Sequence, residues 1–198
     1  GNNTGINNTA IGDQAMFSTT SGSNNAALGS KALYANTTGG QNTAIGALSL
    51  FSNTTGIENM ASGHLALTGN MAGSYNTAVG SRSMQQSLSG SDNTAVGYYA
   101  LFNNNGSSNV AMGSSAMEHN STGIENTSIG NASLYWNTGG SNNVMVGYLA
   151  GYNTEGSGNV MIGNSAGASE IGSNKLYINN NNGGATEAMI YGDFNAGL

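Results

Sequence analysis

A glycine recurs every 16 or 17 residues along most of this 198-residue chain, and each copy follows an asparagine by four residues and another glycine by seven. A fixed short period of this kind is typical of a solenoid, in which every repeat forms one coil of a stack. We number each of the ten coils from this closing glycine, which is position 0. The closing glycines are Gly12, Gly29, Gly46, Gly63, Gly80, Gly97, Gly113, Gly130, Gly147 and Gly163.

The three residues before each closing glycine predict a short β-strand. They are mostly β-branched or small, as in Thr43-Ala44-Ile45, and they are bounded by asparagine and glycine. Because alternate side chains of a strand face opposite sides, large side chains line one face and alanines the other. A strand that is apolar on both faces is normally buried on both. One face can point into the coil, and we expect a second copy of the chain to cover the other.

A second apolar group follows each closing glycine. Position +3 is Ala or Ser in every coil, and position +4 is Leu or Met until Gly151 and Gly167 replace it in the last two coils. We expect two short strands per coil, joined by turns at which positive φ is cheap only for glycine. The predicted fold is therefore all-β: a parallel β-solenoid, or β-roll, of ten 16–17-residue coils in an intertwined or side-by-side homotrimer.

The asparagine at position −4 predicts a structural ladder, with each amide bonded to the equivalent amide one coil away. Its alternative role is to tolerate a turn conformation. The spacing of stacked coils, about 4.8 Å, would make like charges in adjacent coils repel, and the acidic residues at position −5 never occur in adjacent coils. The expected ladder residues are Asn8, Asn25, Asn42, Asn59, Asn76, Asn93, Asn109, Asn126, Asn143 and Asn159.

The pattern weakens near the C-terminus, so we divide the chain into a repeat domain, residues 1–172, and a degenerate last coil with a cap or junction, residues 173–198. Leu176-Tyr177-Ile178 stands at the strand positions, and Asn179 replaces the closing glycine as the residue that best tolerates a left-handed conformation. Residues 180–184 read as a flexible turn. The first residues read as the end of a preceding repeat, so we expect a fragment of a longer polypeptide.

Composition excludes several classes of function. The net charge is −6 with three cations, Lys31, Arg82 and Lys175, so we expect no nucleic-acid partner. No apolar run approaches the roughly 20 residues of a membrane span, and no cysteine is present for disulfides or thiolate metal sites. His64 and His119 stand at different coil positions three coils apart, and the carboxylates are dispersed. We therefore predict no catalytic residues, no metal and no cofactor.

Position +5 carries an aromatic stripe that would either stack on sugar rings of a glycan or pack between chains. We favour packing, because Thr68, Gln85, Glu118 and Ala168 interrupt the stripe. Trp136 adjoins the stripe, and packing is favoured for it as well. The stripe residues are Phe17, Tyr34, Phe51, Phe102, Tyr135 and Tyr152.

The phrases Asn42–Gly46 and Asn93–Gly97, each followed by a small residue at position +3, resemble the head repeats of YadA-like trimeric autotransporter adhesins. The resemblance covers Asn8 to about Gly167 and implies a left-handed parallel β-roll with three chains packed about one axis. The usual period of that family is shorter, which implies a longer turn in this chain.

A second resemblance involves Asn36–Gly39, Ser173–Ile178 and Ile190–Phe194, which look like repeats of phage-type tail fibres that often precede an intramolecular chaperone domain. Both resemblances imply a trimeric extracellular fibre on a cell surface or virion. We therefore expect a non-enzymatic structural segment that stiffens a fibre and displays a receptor-binding region.

Two alternatives remain at this stage. In the first, the rod itself is a glycan-binding adhesive surface. In the second, the threonines at position −3 order water in an ice-binding solenoid, although Ala26, Met60, Val110, Val144 and Val160 break that row.

Overall fold

A computed structural model describes residues 4–181 and 186–195, and within them the chain forms a stack of coils without a helix. Each coil contributes one short strand, and all strands join one sheet in chain order. The predicted all-β parallel solenoid is thereby confirmed. Predictions for residues 1–3, 182–185 and 196–198 lie outside the described residues. The strands are β1 (Thr9–Ile11), β2 (Ala26–Leu28), β3 (Thr43–Ile45), β4 (Met60–Ser62), β5 (Thr77–Val79), β6 (Thr94–Val96), β7 (Val110–Met112), β8 (Thr127–Ile129), β9 (Val144–Val146), β10 (Val160–Ile162), β11 (Lys175–Ile178) and β12 (Ile190–Asp193).

Equivalent residues of successive coils are direct neighbours in the sheet. Ala44 of β3 pairs with Ala61 of β4, and the register is unchanged where a coil has 16 residues, as Thr94 pairs with Val110. A 16-residue coil lacks one residue between position +7 and the following glycine at position −7, which is outside the strand. Asn36 precedes Gly39 by three residues, whereas Asn104 precedes Gly106 by only two. The shorter coils therefore keep the same strand and core.

The central strand residue points into the coil, and its two neighbours point outward. Ala44, Ala61 and Ala95 are fully buried, whereas the flanking residues at positions −3 and −1 are partly or well exposed. The alanine face is therefore the inner one. The large side chains that the sequence places on the opposite face point away from the coil.

The prediction of a second strand in each coil was wrong. Positions +2 and +4 have positive φ, for example Lys31 at 55° and Leu33 at 51°, so the backbone alternates in sign where a strand needs extended residues. The Ala32 N–H donates to the Gly29 carbonyl at 3.2 Å and closes a turn, while the Leu33 N–H donates to Ser49 of the next coil at 3.0 Å. The segment is a hydrogen-bonded stack of turns. Burial of leucine at +4 offsets a conformational cost of roughly 1–2 kcal/mol per residue.

Inner side chains at positions −2 and +4 compensate each other in size. Most coils pair a small residue with a large one, as Ala44 with Leu50. In coil nine, Met145 occupies position −2 and Gly151 position +4, and a Cβ on Gly151 would lie 2.6 Å from the Met145 sulfur. Met161 and Gly167 repeat this exchange in coil ten, with the corresponding distance 2.4 Å. Each coil therefore holds one large apolar side chain in the same interior volume.

The two repeated glycines of each coil are required for different physical reasons. Closing glycines such as Gly80, with φ of 130°, adopt a backbone conformation that L-residues avoid. The glycines at position −7, such as Gly39, have no positive φ, so the expectation of a turn requirement fails for them. A Cβ on Gly39 would instead lie 2.4 Å from the Asn36 side-chain oxygen and 2.5 Å from the Gly56 carbonyl oxygen. These glycines permit close stacking of backbone on backbone.

The C-terminal segment changes the direction of pairing. β11 continues the parallel stack, since Leu176 pairs with Val160, and β12 then pairs with β11 antiparallel. The Lys175 ammonium contacts the Asp193 carboxylate across this pair. Asn179 is not among the residues with positive φ, so the left-handed conformation expected there is absent.

Replacing Gly80 with alanine should destabilise the stack. Its new Cβ would lie 2.5 Å from the Gly97 carbonyl oxygen at a φ of 130°, and we expect a loss of about 2–5 kcal/mol in the free energy of unfolding. Thermal or denaturant unfolding measures this loss. Gly139→Ala is the matched control, because its nearest contact would be Thr122 Oγ1 at 3.5 Å. Equal effects of the two substitutions would contradict the stacking explanation.

Met145→Ala and Gly151→Leu should each destabilise the protein and should rescue each other. The first leaves a cavity that costs about 2–5 kcal/mol, and the second overfills the core by about 1–3 kcal/mol. The double variant recreates the Ala44–Leu50 arrangement, so its unfolding free energy should return to within about 1 kcal/mol of the parent. Simple addition of the two losses would refute size compensation.

Candidate functional site

The ten asparagines at position −4 lie in one continuous row inside the solenoid. Asn59 shows the repeated contacts: its backbone N–H donates to the Asn42 side-chain oxygen at 2.9 Å, and its amide donates to the same oxygen at 3.2 Å. The amide also donates to the carbonyl of Gly73 in the following coil at 2.8 Å. All members except Asn8 are buried. The row therefore connects each coil to the coils on both sides.

A second row of polar residues, all buried except Glu170, stands at position +7, and sequence reasoning missed it. Six of its ten members are asparagines, and the others are Thr19, Ser87, Thr154 and Glu170. The Asn53 amide donates to the Asn36 oxygen at 2.9 Å, and the same contact links Asn120 with Asn104 and Asn137 with Asn120. The spacing of these asparagines from the closing glycine was the available signal. The asparagines are Asn36, Asn53, Asn70, Asn104, Asn120 and Asn137.

Both asparagine rows converge on the carbonyl of the glycine at position −7. The Gly39 carbonyl accepts hydrogen bonds from the Asn25 and Asn36 amides, each at 2.9 Å. The Gly73 carbonyl likewise accepts from Asn59 at 2.8 Å and Asn70 at 3.0 Å. A buried carbonyl has two lone pairs, and here both are used. We call this set of contacts the polar seam. In the coils with threonine, serine or glutamate at position +7, the asparagine at position −4 supplies the amide that reaches the glycine carbonyl.

The second row is interrupted where serine or threonine replaces asparagine. Among the described residues, the Ser87 hydroxyl and the Asn70 side-chain oxygen are buried and find no hydrogen-bond partner. The Asn137 side-chain oxygen is in the same situation next to Thr154. Each buried polar atom left without a partner costs about 1–3 kcal/mol. These interruptions are local weak points of the seam.

The predicted aromatic stripe forms separate stacks along the rod. Phe17, Tyr34 and Phe51 stack with ring centroids 5.3 and 5.0 Å apart and ring planes within 9° of parallel. Tyr135 and Tyr152 stack in the same way at 5.0 Å. Because the rings follow the coil spacing, their faces contact each other and their edges point outward. Thr68 separates the first stack from the rest of the row.

Phe102 belongs to a different arrangement. It packs against Tyr99 with ring centroids 4.7 Å apart, and Tyr99 packs edge-on against Tyr98 at 4.4 Å. The Arg82 guanidinium lies over the Tyr99 ring, 5.5 Å from its centroid, and donates to its hydroxyl at 2.5 Å. This cluster lies two coils from Tyr135.

Glu118 stands in the aromatic row between these two groups. Its carboxylate lies 3.8 Å from the His119 imidazole. Burial raises the pKa of Tyr135, and the Glu118 carboxylate raises it further. Burial also raises the pKa of Tyr98, as do Tyr99 beside it and, more weakly, Glu118. The carboxylate therefore acts electrostatically on tyrosines of both groups.

The two histidines are not brought together. His64 lies in coil four, while His119 stacks on Trp136 with centroids 4.0 Å apart. In the part of the chain that the structure describes, no group of three His, Asp or Glu residues could hold a metal ion. Within residues 4–181 and 186–195, no helix is long and apolar enough to cross a bilayer.

The outward face of the strands is an uncharged, largely apolar surface along the rod. Position −1 is a large aliphatic residue in every coil except coil four, where it is Ser62, and no charged residue occupies position −1 or −3 in the ten coils. Thr43, Thr77 and Thr94 point outward, but the exposed Met60 side chain interrupts the threonine row. At Ala26 the face is hollowed by a depression of about 220 Å³ lined by Ile11, Leu28 and Ile45 among others.

Comparison with models of protein families, with characterised proteins and with solved structures finds no match to this chain.

Ser87→Asn should stabilise the solenoid by completing the second asparagine row. The new amide can donate to the Asn70 oxygen and to the Gly90 carbonyl, as Asn70 does to Asn53 and Gly73. We expect a gain of about 1–3 kcal/mol, measured by thermal unfolding. Ser89→Asn, at an exposed position two residues away, should leave stability unchanged. A loss of stability in the Ser87 variant would contradict the proposed geometry.

Proposed function

We propose that this chain is a non-enzymatic structural segment of an extracellular trimeric fibre, on a cell surface or a virion. Three copies would pack along their outward strand faces and form a stiff rod that displays a receptor-binding region. The observation that carries the proposal is the uncharged apolar face that runs along all ten coils. Its large side chains lie outside the coil, where water would otherwise contact them.

Burial of this face would be strongly favourable. Apolar surface contributes about 25 cal/mol per Å² removed from water, and contiguous exposed apolar surface of this kind marks interaction sites. All described carboxylates and cations of the ten coils stand at other coil positions. A face without charges can be buried against a second copy without the cost of desolvating ions.

The side chains at positions −3 and −1 also suit packing between identical coils at the same height. Coil four has a large residue at −3, Met60, and a small one at −1, Ser62, which reverses the usual order. In coil two, Ala26 at −3 accompanies Leu28 at −1. If position −3 of one copy meets position −1 of the next, the large Met60 side chain of one copy would lie beside the small Ser62 of another. The number of copies, three, rests on the resemblance to trimeric adhesin heads and tail fibres.

The stiffness of such a rod would come from interactions repeated in every coil. Interchain packing would cover the outer face, and the asparagine seam would fix the corner of each coil. Opening one coil would break buried amide hydrogen bonds to both neighbours, as at Asn59. Such linked coils favour resistance to proteolysis, since cleavage requires local opening.

The glycan-binding alternative gains little from the predicted aromatic stripe. A sugar ring stacks on an aromatic face, and in the two regular stacks these faces are already in contact with each other. The first ring, Phe17, is 68% exposed because it ends the stack. The ice-binding alternative is weakened by Met60 and by the large aliphatic row beside the threonines.

Light scattering should give an absolute mass about three times the 19.9 kDa of one chain. Ile45→Glu should shift the protein to smaller species, because a carboxylate would be buried in the interchain packing. Leu88→Glu is the matched control, because Leu88 is 48% exposed and Ile45 42% exposed, but Leu88 lies outside the strand face. A folded monomer, or equal effects of both substitutions, would refute assembly through this face.

A further inference from the structure

One surface cluster stands apart from the regular rows of the rod. It combines a carboxylate, an imidazole and the single tryptophan of the chain with two further aromatic rings and an amide. We call it the Glu118 patch and define it by Phe102, Glu118, His119, Tyr135, Trp136 and Asn153. It spans coils six to nine at positions +5 and +6, which follow the closing glycine.

The coil geometry produces the patch. Phe102, Glu118 and Tyr135 occupy position +5 of three successive coils, so the carboxylate takes the place of an aromatic ring in the row. The flanking rings are two coils apart, about 9.6 Å at the usual strand spacing. In a continuous aromatic row, a third ring would stack between these two. In this chain the Glu118 carboxylate stands between them.

The imidazole and indole form a small platform beside the carboxylate. His119 and Trp136 stack with planes within 7° of parallel, and both lie nearly perpendicular to the Tyr135 ring, with centroid distances of 4.9 and 5.2 Å. The Tyr135 ring therefore contacts both rings of the platform and helps to hold them in place. Trp136 remains 43% exposed, although burial of this side chain would give a large apolar gain.

One face of the indole differs from the faces inside the regular stacks. His119 covers the side toward the N-terminus, while the next coil places the smaller, exposed Asn153 at the same position, +6. The aromatic row does not continue over Trp136. The Asn153 amide therefore stands in the coil after Trp136, whereas in the Phe17–Phe51 stack the next coil supplies another aromatic ring.

The polar groups around this platform complement hydroxyl groups. The Glu118 carboxylate accepts hydrogen bonds, the indole N–H donates them, and the Asn153 amide does both. The Glu118 side chain is 15% exposed, lies 3.8 Å from His119 and is hydrogen-bonded to Tyr135. A carboxylate has about four lone-pair sites, so Glu118 can accept further hydrogen bonds. A flat apolar platform with acceptors and donors at its border is the chemistry that binds a sugar ring.

Charge restricts the class of sugar. The carboxylate lies within the patch, and the chain carries a net charge of −6. The nearest guanidinium, that of Arg82, is engaged with Tyr99. Sialylated, sulfated or phosphorylated glycans would place a second negative charge near Glu118, which like-charge repulsion disfavours.

We propose that the Glu118 patch is a binding site for a neutral saccharide, with one sugar ring on the exposed part of Trp136 and its hydroxyls bonded to Glu118 and Asn153. The site would give the proposed fibre an adhesive surface of its own. Its chemistry depends on these residues and not on the number of chains in the fibre.

The single tryptophan makes binding directly measurable. Titrating the full chain with lactose and with triacetylchitotriose should change the Trp136 fluorescence saturably for at least one of them, and calorimetry should give the same affinity. Sialyllactose, the acidic counterpart of lactose, should bind more weakly than lactose. Trp136→Ala should weaken binding, measured by calorimetry, by about tenfold or more.

Two further variants make the result specific. Glu118→Gln keeps the size of the side chain and should reduce the discrimination against sialyllactose. Phe51→Ala removes a ring of the same row in coil three and should leave binding unchanged. Light scattering and circular dichroism on each variant confirm that assembly and fold are retained. They also separate a failure of this proposal from a failure of the trimer.

Three outcomes would overturn the proposal. The first is the lack of saturable binding of both neutral probes to the folded protein. The second is binding that persists unchanged in the Trp136→Ala variant. The third is a preference for sialyllactose over lactose. Each can occur with an intact trimer, so the fibre proposal would stand independently.

Discussion

The stack depends on the contact between a glycine carbonyl and one or two asparagine amides at the same corner of successive coils. Gly39 illustrates it: the Asn25 and Asn36 amides both donate to its carbonyl at 2.9 Å. A side chain on this glycine would collide with the next coil. Glycine is therefore required because the backbone of the next coil leaves no room for a side chain. Asparagine is required because the buried glycine carbonyl needs a hydrogen-bond donor. This contact explains why glycine at position −7 and asparagine at position −4 recur in every coil.

With that corner fixed, the remaining interior is small and tightly specified. A coil of 16 or 17 residues has room for one large apolar side chain, placed at +4 in most coils and at −2 where Met145 or Met161 occurs. The turn segment accepts positive φ at leucine because the side chain becomes fully buried. Packing at near-crystalline density leaves no space for both positions to be large. The core therefore consists mainly of alanine, one leucine or methionine, and amides.

So narrow a core leaves much of the apolar content outside the coil. Positions −1 and −3 point outward because the alanine between them faces inward, and strand geometry permits no other arrangement. The proposed fibre would bury this surplus between copies of the chain. The Glu118 patch lies on other rows, where departures from the repeat are permitted because they do not disturb the seam or the core. The two proposals thus place assembly and recognition on separate surfaces of one rod.

The sequence by itself determined the coil length, the parallel strand and its three residues, because glycine and asparagine recur at fixed distances and the strand residues alternate between them. It also placed the asparagine row at −4 without showing which carbonyls it reaches.

Only the tertiary structure decided that the alanine face is the inner one, that a second asparagine row meets the same glycine, and that positions +1 to +6 form turns. Hydrophobicity patterns do not report the sign of φ, so Leu33 in a left-handed conformation reads like a strand residue. Likewise the pairing of Met145 with Gly151 and of His119 with Trp136 depends on distances across the coil and between coils, which a linear pattern does not contain.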